Sequence, residues 1–245
     1  MLAIALLIGR QQQVGSVYAT TASPSSPNST TQTSQPELGK RHKLSYEQWL
    51  DVLKQEAQVA VDKSPPNLTI LAGDSLSLWF PPELLPEEKY WLNQGISGET
   101  SGGLLKRLDL FDRTQPETIL VMIGINDLIR GISDEEILTN HRRIIRYLRR
   151  MHPQAQIVVQ SILPHGAEEA TWEGKEKLLA IPNSRILQLN QQIKAIATRQ
   201  NVKYLDLYPL FTNKQGNLRP DLTTDGLHLN PQGYLVWRTA LQMGV

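Results

Sequence analysis

The sequence predicts an α/β domain of three layers, in which helices cover both faces of a parallel β-sheet. Two observations indicate this fold class. Five short apolar runs of strand-forming residues recur along the chain, and amphipathic helical patterns separate them. Strands that alternate with helices are typical of βαβ units, whose right-handed crossovers place helices on both faces of the sheet.

The expected strands are the short runs rich in Leu, Ile, Val, Thr and aromatic residues. They cover residues 68–72, 90–92, 118–123, 156–160 and 202–207. Because a helical pattern lies between successive runs, we expect the strands to be parallel.

The expected helices have recognisable starts. Capping-box patterns mark two of them, Ser45 with Gln48 and Ser133 with Glu136. Another helix has apolar residues at helical spacing over residues 186–196. These elements fill the chain from Ser45 onward, so we expect one folded domain there.

Size and composition are those of an ordinary globular protein. The chain has 245 residues, of which 40% are hydrophobic and 20% are charged, enough for one domain with a substantial core. The net charge of +1 does not indicate nucleic-acid binding. The absence of cysteine excludes disulfides, thiolate metal sites and cysteine nucleophiles.

The N-terminal segment differs from the rest in composition. Residues 2–8 form an apolar run, and residues 17–19 have the small-residue pattern of a signal-peptidase site. We interpret residues 1–19 as a truncated signal peptide or anchor, with a dispensable tail as the alternative. Residues 20–43, rich in Ser, Thr and Pro, are expected to be a disordered linker before the domain at 44–245. Export, or membrane association through this N-terminus, is favoured over a cytoplasmic location.

Polar clusters occupy the positions where a doubly wound sheet binds its ligands, beyond the carboxyl ends of the strands. Three clusters follow the first three expected strands. The fourth lies in the loop before the last helix, whose expected N-cap is Asn230. The clusters are Gly73-Asp74-Ser75-Leu76-Ser77, Asn93-Gln94-Gly95, Gly124-Ile125-Asn126-Asp127 and Asp225-Gly226-Leu227-His228.

Three residues of these clusters suit nucleophilic catalysis. The hydroxyl of Ser75 becomes a nucleophile when a neighbouring base takes its proton. His228 is the expected base, since an imidazole titrates near neutral pH. Asp225 precedes His228 by three residues, so a turn lets it accept the Nδ1 proton and fix the tautomer. The catalytic residues are therefore expected to be Ser75, Asp225 and His228.

Acyl transfer also needs hydrogen-bond donors for the oxyanion of the tetrahedral intermediate. We expect these donors to be the backbone N–H groups of Ser75 and Gly95 and the side-chain amide of Asn126. Removal of one such donor typically costs about 3–4 kcal/mol of transition-state stabilisation. Asp74 and Asp127 are expected to orient the neighbouring loops by hydrogen bonds.

With these four blocks in order, the chain resembles the GDSL/SGNH hydrolases over about residues 68–242. The resemblance implies a flavodoxin-like fold with a five-stranded parallel sheet. It also implies esterase or lipase chemistry without a metal or an organic cofactor. Carried over to this chain, it marks Ser75, Gly95, Asn126 and His228 as the four name-giving residues, with Asp225 completing the triad.

The main functional hypothesis is a metal-independent carboxylic ester hydrolase that works through an acyl-enzyme. The expected substrate is a small-molecule, lipid or glycan acyl ester, and we expect a monomer that binds no nucleic acid. Two alternatives stay open. The same triad could transfer the acyl or acetyl group to a sugar or lipid hydroxyl, or the fold could be a catalytically silent module that binds glycans or lipids.

None of the remaining histidines is expected to be catalytic. His42 lies near the linker, and His141 and His152 flank a basic helix, so these three are expected to be solvated. His165 follows an expected strand end and could line the cleft, although structural placement is favoured. No catalytic role is assigned to any of them.

Two further segments stand near the expected site. Residues 79–85, which begin with Trp79, are interpreted as packing for the sheet edge, with part of an acyl pocket or a movable rim as the alternatives. Residues 164–182 form a long insertion and are expected to be the variable rim of the site.

Overall fold

A computed structural model of the chain describes residues 44–244. The chain divides into two units, Met1–Glu56 and Ala57–Val245. The expected signal or anchor segment at 1–19, the linker at 20–43 and His42 lie outside the described residues. The sheet and every candidate site residue belong to the second unit.

The sheet has five parallel strands in the described part of the chain, ordered β2-β1-β3-β4-β5. This order is that of flavodoxin-like doubly wound sheets, so the predicted fold class is confirmed. The chain runs from β1 outward to β2 and then back across to β3, which places the switch point at β1. The strands are β1 (Leu68–Gly73), β2 (Tyr90–Gly95), β3 (Thr118–Met122), β4 (Gln156–Gln160) and β5 (Lys203–Leu205).

Helices follow the strands in the order expected for βαβ units. In the described part of the chain, single turns of 3-10 helix add to them at Pro82–Leu84, Leu108–Phe111, Ala167–Glu169 and Pro220–Leu222. Between residues 44 and 244, no helix combines the length and the apolar character needed to cross a membrane. The α-helices are α1 (Tyr46–Lys63), α2 (Ser75–Leu78), α3 (Ser101–Lys106), α4 (Ile125–Ile129), α5 (Asp134–Met151), α6 (Lys175–Leu179), α7 (Asn183–Arg199), α8 (Tyr208–Phe211) and α9 (Pro231–Gly244).

The expected helix caps form as the sequence patterns indicate. Ser133 Oγ accepts the N–H of Glu136 at 3.2 Å at the start of α5. Asn230 Oδ1 accepts the N–H of Gly233 at 2.9 Å at the start of α9. Each of these bonds satisfies one of the N–H groups that a helix start leaves without an intrahelical acceptor.

The hydrophobic core lies on both faces of the sheet because successive strand residues point to opposite sides. On one face, Leu71 of β1 belongs to the same buried cluster as Trp237 of α9. On the other face, Ile70 belongs to the cluster that contains Leu148 of α5. Helices on both faces therefore complete the predicted three layers.

Two histidine predictions are wrong. His141 is 1% exposed and His152 is 5% exposed, so neither is solvated. His141 follows Ile137 by four residues and shares its buried face of α5, while His152 stacks on Phe111 with 5.8 Å between ring centroids. Burial lowers the pKa of His141 to about 4, and its contact with the carbonyl of Ile123 opposes this shift only in part.

The last strand is shorter than the apolar run predicts. It ends at Leu205 rather than at residue 207. The backbone N–H groups of Leu207 and Tyr208 both donate to Ser161 Oγ, each at 2.9 Å. These side-chain bonds take the chain out of the strand ladder and direct it into α8.

Candidate active site

The turn after β1 carries the candidate nucleophile. β1 ends at Gly73, and Asp74 caps α2 by accepting the N–H of Leu76 at 3.0 Å. Ser75 is the first residue of α2. No described residue accepts a hydrogen bond from the Ser75 backbone N–H. Its hydroxyl and its N–H group thus lie beyond the carboxyl end of β1, at the switch point of the sheet.

The candidate base and its carboxylate lie on one turn, which is held by hydrogen bonds between its own residues. Asp225 Oδ2 lies 2.8 Å from His228 Nδ1. Asp225 Oδ1 accepts the backbone N–H groups of Leu227 and His228, at 2.9 Å and 2.8 Å. Because a carboxylate can only accept, Nδ1 carries the proton and Nε2 is left as the basic nitrogen. The His228 side chain is 11% exposed.

The electrostatics of this turn favour an ionised Asp225. Burial alone would raise the pKa of this carboxyl group, but the hydrogen bonds from the His228 side chain, the His228 backbone and Leu227 outweigh it. The net effect lowers the pKa of Asp225 below its ordinary value. A carboxylate that stays charged can stabilise an imidazolium at His228.

The insertion at 164–182 holds this turn from outside. The N–H groups of Thr171 and Trp172 both donate to the carbonyl of Asp225, at 2.8 Å and 2.9 Å. The N–H of Gly166 donates to the carbonyl of Gly226 at 2.7 Å. The segment that the sequence assigns to a variable rim therefore supports the backbone of the candidate triad.

The structure brings the Ser75 and His228 segments together through their neighbours. The Trp79 N–H donates to the carbonyl of Ser75 at 2.9 Å, and the Trp79 ring lies 4.2 Å from the His228 ring, centroid to centroid. Tyr234, on the helix after His228, donates its hydroxyl to the carbonyl of Leu76 at 3.1 Å. Within the described residues, Ser75 Oγ makes no hydrogen bond to His228. Catalytic hydrogen bonds are often long or poorly aligned in active sites without substrate.

The turn after β3 supplies a buried amide. Asn126 Nδ2 is buried and has no hydrogen-bond partner among the residues that the structure describes. Its neighbour Asp127 accepts the Ser101 N–H at 2.8 Å and the Ser101 hydroxyl at 2.5 Å. Burial raises the pKa of Asp127, and the bonds from Ser101 oppose that shift. Asp127 thus orients α3, as the sequence predicts for this carboxylate.

Gly95 is placed differently from what the sequence interpretation requires. A Cβ atom at Gly95 would lie 2.5 Å from the backbone N of Leu78, so only glycine fits beside α2. Its N–H group donates to Asn93 Oδ1 at 2.9 Å. The expected oxyanion donor at Gly95 is therefore already bonded in this structure.

A second glycine, which sequence reasoning did not select, has its N–H group available. Gly98 has a φ of +74°, a conformation that favours glycine. Its N–H has no acceptor between residues 44 and 244, and its carbonyl accepts Arg130 Nη2 at 2.6 Å. Arg130 directly follows α4, which carries Asn126. The only signal in the sequence is a glycine two residues before Thr100, which the structure shows to be the N-cap of α3.

A buried arginine joins the ends of two strands. Arg107 pairs with Glu99 at 2.8 Å, and both side chains are almost wholly buried. The guanidinium group also donates to the carbonyls of Gln94, at 2.9 Å, and Gly73, at 3.2 Å. The loops after β1 and β2 are thus held by one side chain, which sequence reasoning did not identify.

Comparison with known proteins agrees with this arrangement. The model of the GDSL-like Lipase/Acylhydrolase family matches residues 64–236. The chain belongs to this family. The human platelet-activating factor acetylhydrolase IB subunit alpha1 is 25% identical over 198 residues, covering 76% of this chain and 78% of that protein. The alpha2 subunit of Gallus gallus is 27% identical over 200 residues, covering 77% and 79%.

Solved structures show the same similarity. A Streptococcus pneumonia protein described as a platelet activating factor superposes with a TM-score of 0.70 at 29% identity, over 80% of this chain and 94% of that one. A GDSL-like lipase from Bacteroides thetaiotaomicron has a TM-score of 0.61 at 18% identity, over 78% and 97%. The second likeness shows the fold alone.

Within this GDSL-family domain, Asp74 has an unusual electrostatic environment. Burial raises the pKa of Asp74 to about 7, the bond from Leu76 opposes the shift, and the nearby carboxylates of Asp127 and Glu99 add to it. A carboxyl group that binds its proton near neutral pH beside the candidate nucleophile makes this turn sensitive to pH.

His165 has a structural placement, as the sequence favours. Its Nδ1 accepts the N–H of Ala167 at 3.1 Å, and its Nε2 lies 2.6 Å from the carbonyl of Ile181. Burial lowers the pKa of His165. Both ring nitrogens are engaged, so His165 is not available as a base in this family member.

Proposed function

We propose that this protein is a serine-dependent carboxylic ester hydrolase that acts through an acyl-enzyme. The observation that carries the proposal is the bond from His228 Nδ1 to Asp225, at 2.8 Å, on a turn whose imidazole contacts Trp79, one helical turn after Ser75. A base with its tautomer fixed beside a serine at a strand end is the arrangement that acyl transfer requires.

The reaction follows from these positions. Ser75 Oγ attacks the ester carbonyl while His228 Nε2 takes the hydroxyl proton, and Asp225 stabilises the imidazolium. Collapse of the tetrahedral intermediate breaks the ester C–O bond, and the leaving alcohol takes the proton from Nε2. Water then attacks the acyl-enzyme, giving one proton to Nε2, and the released Ser75 recovers it as the carboxylic acid leaves.

The oxyanion is proposed to receive hydrogen bonds from three N–H groups. Two are those named by the sequence, the Ser75 backbone N–H and Asn126 Nδ2, and neither has an acceptor among the described residues. For the third, the Gly98 N–H replaces that of Gly95. Two observations support this choice. The Gly95 N–H already donates to Asn93, and Arg130, which follows α4, donates to the Gly98 carbonyl.

The proposed substrates are esters of short acyl groups, acetyl esters first. Support comes from curated relatives that are named as subunits of an acetylhydrolase and that this chain covers over more than three quarters of their length. The alcohol half of the ester is left open by this support.

The test is hydrolysis of p-nitrophenyl esters from acetate to palmitate by the wild type and by Ser75→Ala. We expect turnover that is fastest with short acyl groups and at least about 10⁴-fold lower in Ser75→Ala, because loss of a triad nucleophile removes the covalent route. A serine-directed fluorophosphonate should label the wild type and not the variant.

Equal folding of the two proteins is the control, and circular dichroism with thermal unfolding measures it. Wild-type rates in a folded Ser75→Ala variant would refute the mechanism. Fastest turnover with palmitate would leave the mechanism in place and reject the short-acyl proposal.

A further inference from the structure

Trp79 packs against the hydrophobic core on one face of the sheet and also contacts the candidate base. It follows Ser75 by four residues, so the two share one side of the α2 turn, and its N–H donates to the Ser75 carbonyl at 2.9 Å. Its indole ring lies 4.2 Å from the His228 ring, centroid to centroid, with 40° between the ring planes. A single residue thus touches the segments of both the nucleophile and the base.

The ring of the next residue makes its aromatic contacts within the core instead. Phe80 is buried, and its ring lies 4.9 Å from that of Tyr234 and 5.0 Å from that of Trp237. Trp79 is only half-buried and lies on His228. The sequence prediction of packing for residues 79–85 therefore holds at both Phe80 and Trp79, and Trp79 adds a contact with the ring of the candidate base.

An indole ring stabilises a neighbouring imidazole more strongly when the imidazole is protonated. A cation within about 6 Å of an indole ring is attracted to its π-electrons, and Trp is the strongest of the aromatic residues in this respect. The contact at 4.2 Å lies well inside that limit. His228 becomes a cation only after its Nε2 has taken the Ser75 proton, so the attraction is greatest in the tetrahedral intermediate and its flanking transition states.

Within residues 44–244, the other groups that hold the His228 segment contact it elsewhere. Asp225 holds Nδ1 at 2.8 Å, and the hydroxyls of Thr223 and Thr224 donate to the backbone carbonyl of His228. Asp225 thus acts at Nδ1, and Thr223 and Thr224 act at the main chain. The ring face is contacted by Trp79.

We propose that Trp79 is a positioning residue for the base, whose indole holds the His228 ring and stabilises the imidazolium formed when Ser75 gives up its proton. This inference rests on the proposed serine-hydrolase function. It goes beyond that function in naming the group that adjusts the proton affinity of the base.

The first test is the pH dependence of kcat/KM for the wild type, Trp79→Phe and Trp79→Leu. Removing a group that favours the protonated ring lowers its proton affinity, so the midpoint of the acidic limb should move to lower pH. We expect a shift of about 0.5–1 pH unit in Trp79→Leu, and a smaller one in Trp79→Phe, whose ring attracts a cation less strongly.

Trp91→Leu is the matched control, because it removes the same side chain at the start of β2, where Trp91 Nε1 donates to the carbonyl of Pro86 at 2.8 Å. Its midpoint should equal that of the wild type. An unchanged midpoint in Trp79→Leu, with only KM altered, would overturn the proposal and make Trp79 a wall of the substrate pocket. Should Trp79→Leu fail to fold, the shift in Trp79→Phe decides.

A second measurement does not depend on turnover. The ring nitrogens of His228 are titrated by NMR in Ser75→Ala with and without Trp79→Leu, and the His228 signals are assigned by their loss in His228→Asn. The same downward shift is expected. A shift in this titration combined with no esterase activity in the wild type would support the contact while rejecting the proposed function, whereas wild-type activity without a shift would do the reverse.

Discussion

Two regions of the site are stabilised in different ways. The turn that carries Asp225 and His228 is closed mainly by bonds between residues two to five apart, including those of Asp225 Oδ1 to the Leu227 and His228 N–H groups. The loop that carries Gly98 is held by residues distant in sequence, since Arg130 binds the Gly98 carbonyl and Asp127 binds Ser101.

This difference determines what a sequence can reveal. Where the partners of a residue lie within a few positions, spacing alone predicts the contact. Where a loop is held by side chains from other elements, its free donors depend on the completed fold. Variants in each region should therefore differ in the size of their effect on kcat.

Among variants that compare these two regions, the largest effect is expected from Asp225→Asn. The Asn Oδ1 can keep both backbone bonds of the turn, but its Nδ2 donates and faces Nδ1, which forces the proton onto Nε2. We expect kcat to fall about 10⁴-fold, the size of the loss that the same change causes in another serine hydrolase. Steady-state kinetics with p-nitrophenyl acetate measures it.

The thermal midpoint should change little in Asp225→Asn, because the turn retains its backbone bonds. Asp225→Ala, which loses these bonds as well, should lower it. A kcat within tenfold of the wild type in Asp225→Asn would show that the fixed tautomer of His228 is not needed.

A smaller effect is expected in the region assembled from distant residues. Asn126→Ala removes the buried Nδ2 that has no partner among the described residues. Loss of one oxyanion donor typically lowers kcat by about 10²–10³-fold. Since the donor acts in the transition state, KM should stay within a few fold, and the folding free energy should fall little because no protein bond is lost.

A matched comparison is Asn140→Ala, which removes the bond from Asn140 Nδ2 to Ser101 Oγ at 3.0 Å. Asn140 lies next to the same loop without a free donor, so its loss should reduce stability more than kcat. Equal kcat losses in the two variants would argue that Asn126 only supports the loop.

The sequence predicts much of this molecule where the determinants are local. The parallel sheet, the caps at Ser133 and Asn230, and the pairing of Asp225 with His228 were all readable from patterns within a few residues. The apolar runs predict the strands because a buried strand needs such residues on both faces. β3 ends one residue before its predicted end. β5 ends two residues early, where Ser161 from a neighbouring strand end accepts the N–H groups of Leu207 and Tyr208.

The features that the sequence does not reveal depend on contacts between distant elements. The sequence alone does not distinguish Gly95 from Gly98 as an oxyanion donor. In the structure, the Asn93 side chain accepts the N–H group of Gly95. The role of Arg107 requires that β1 and β2 end side by side. Trp79 lies in an apolar segment whose pattern suggests packing. Its contact with His228 joins two residues that lie far apart in the sequence.

The smallest expected effect concerns Asp74, beside the nucleophile. Its pKa is raised by burial to about 7, whereas an aspartate in an unfolded chain titrates near ~3.9. Between these values the folded state binds more protons than the unfolded chain, so stability falls as pH rises and the loss is complete above about pH 7. This sign is opposite to that of Asp225, whose lowered pKa favours folding at higher pH.

Asp74→Asn isolates this contribution, because the amide oxygen can still accept the Leu76 N–H but the side chain has no proton to lose. We expect the variant to be more stable than the wild type at pH 8, on the order of 1–3 kcal/mol, and nearly equal to it at pH 4. Thermal unfolding of both proteins from pH 4 to pH 8 measures the difference. Parallel curves over that range would mean that Asp74 ionises in the folded domain as it does in the unfolded chain, and that the nucleophile turn tolerates a second charge beside Asp127.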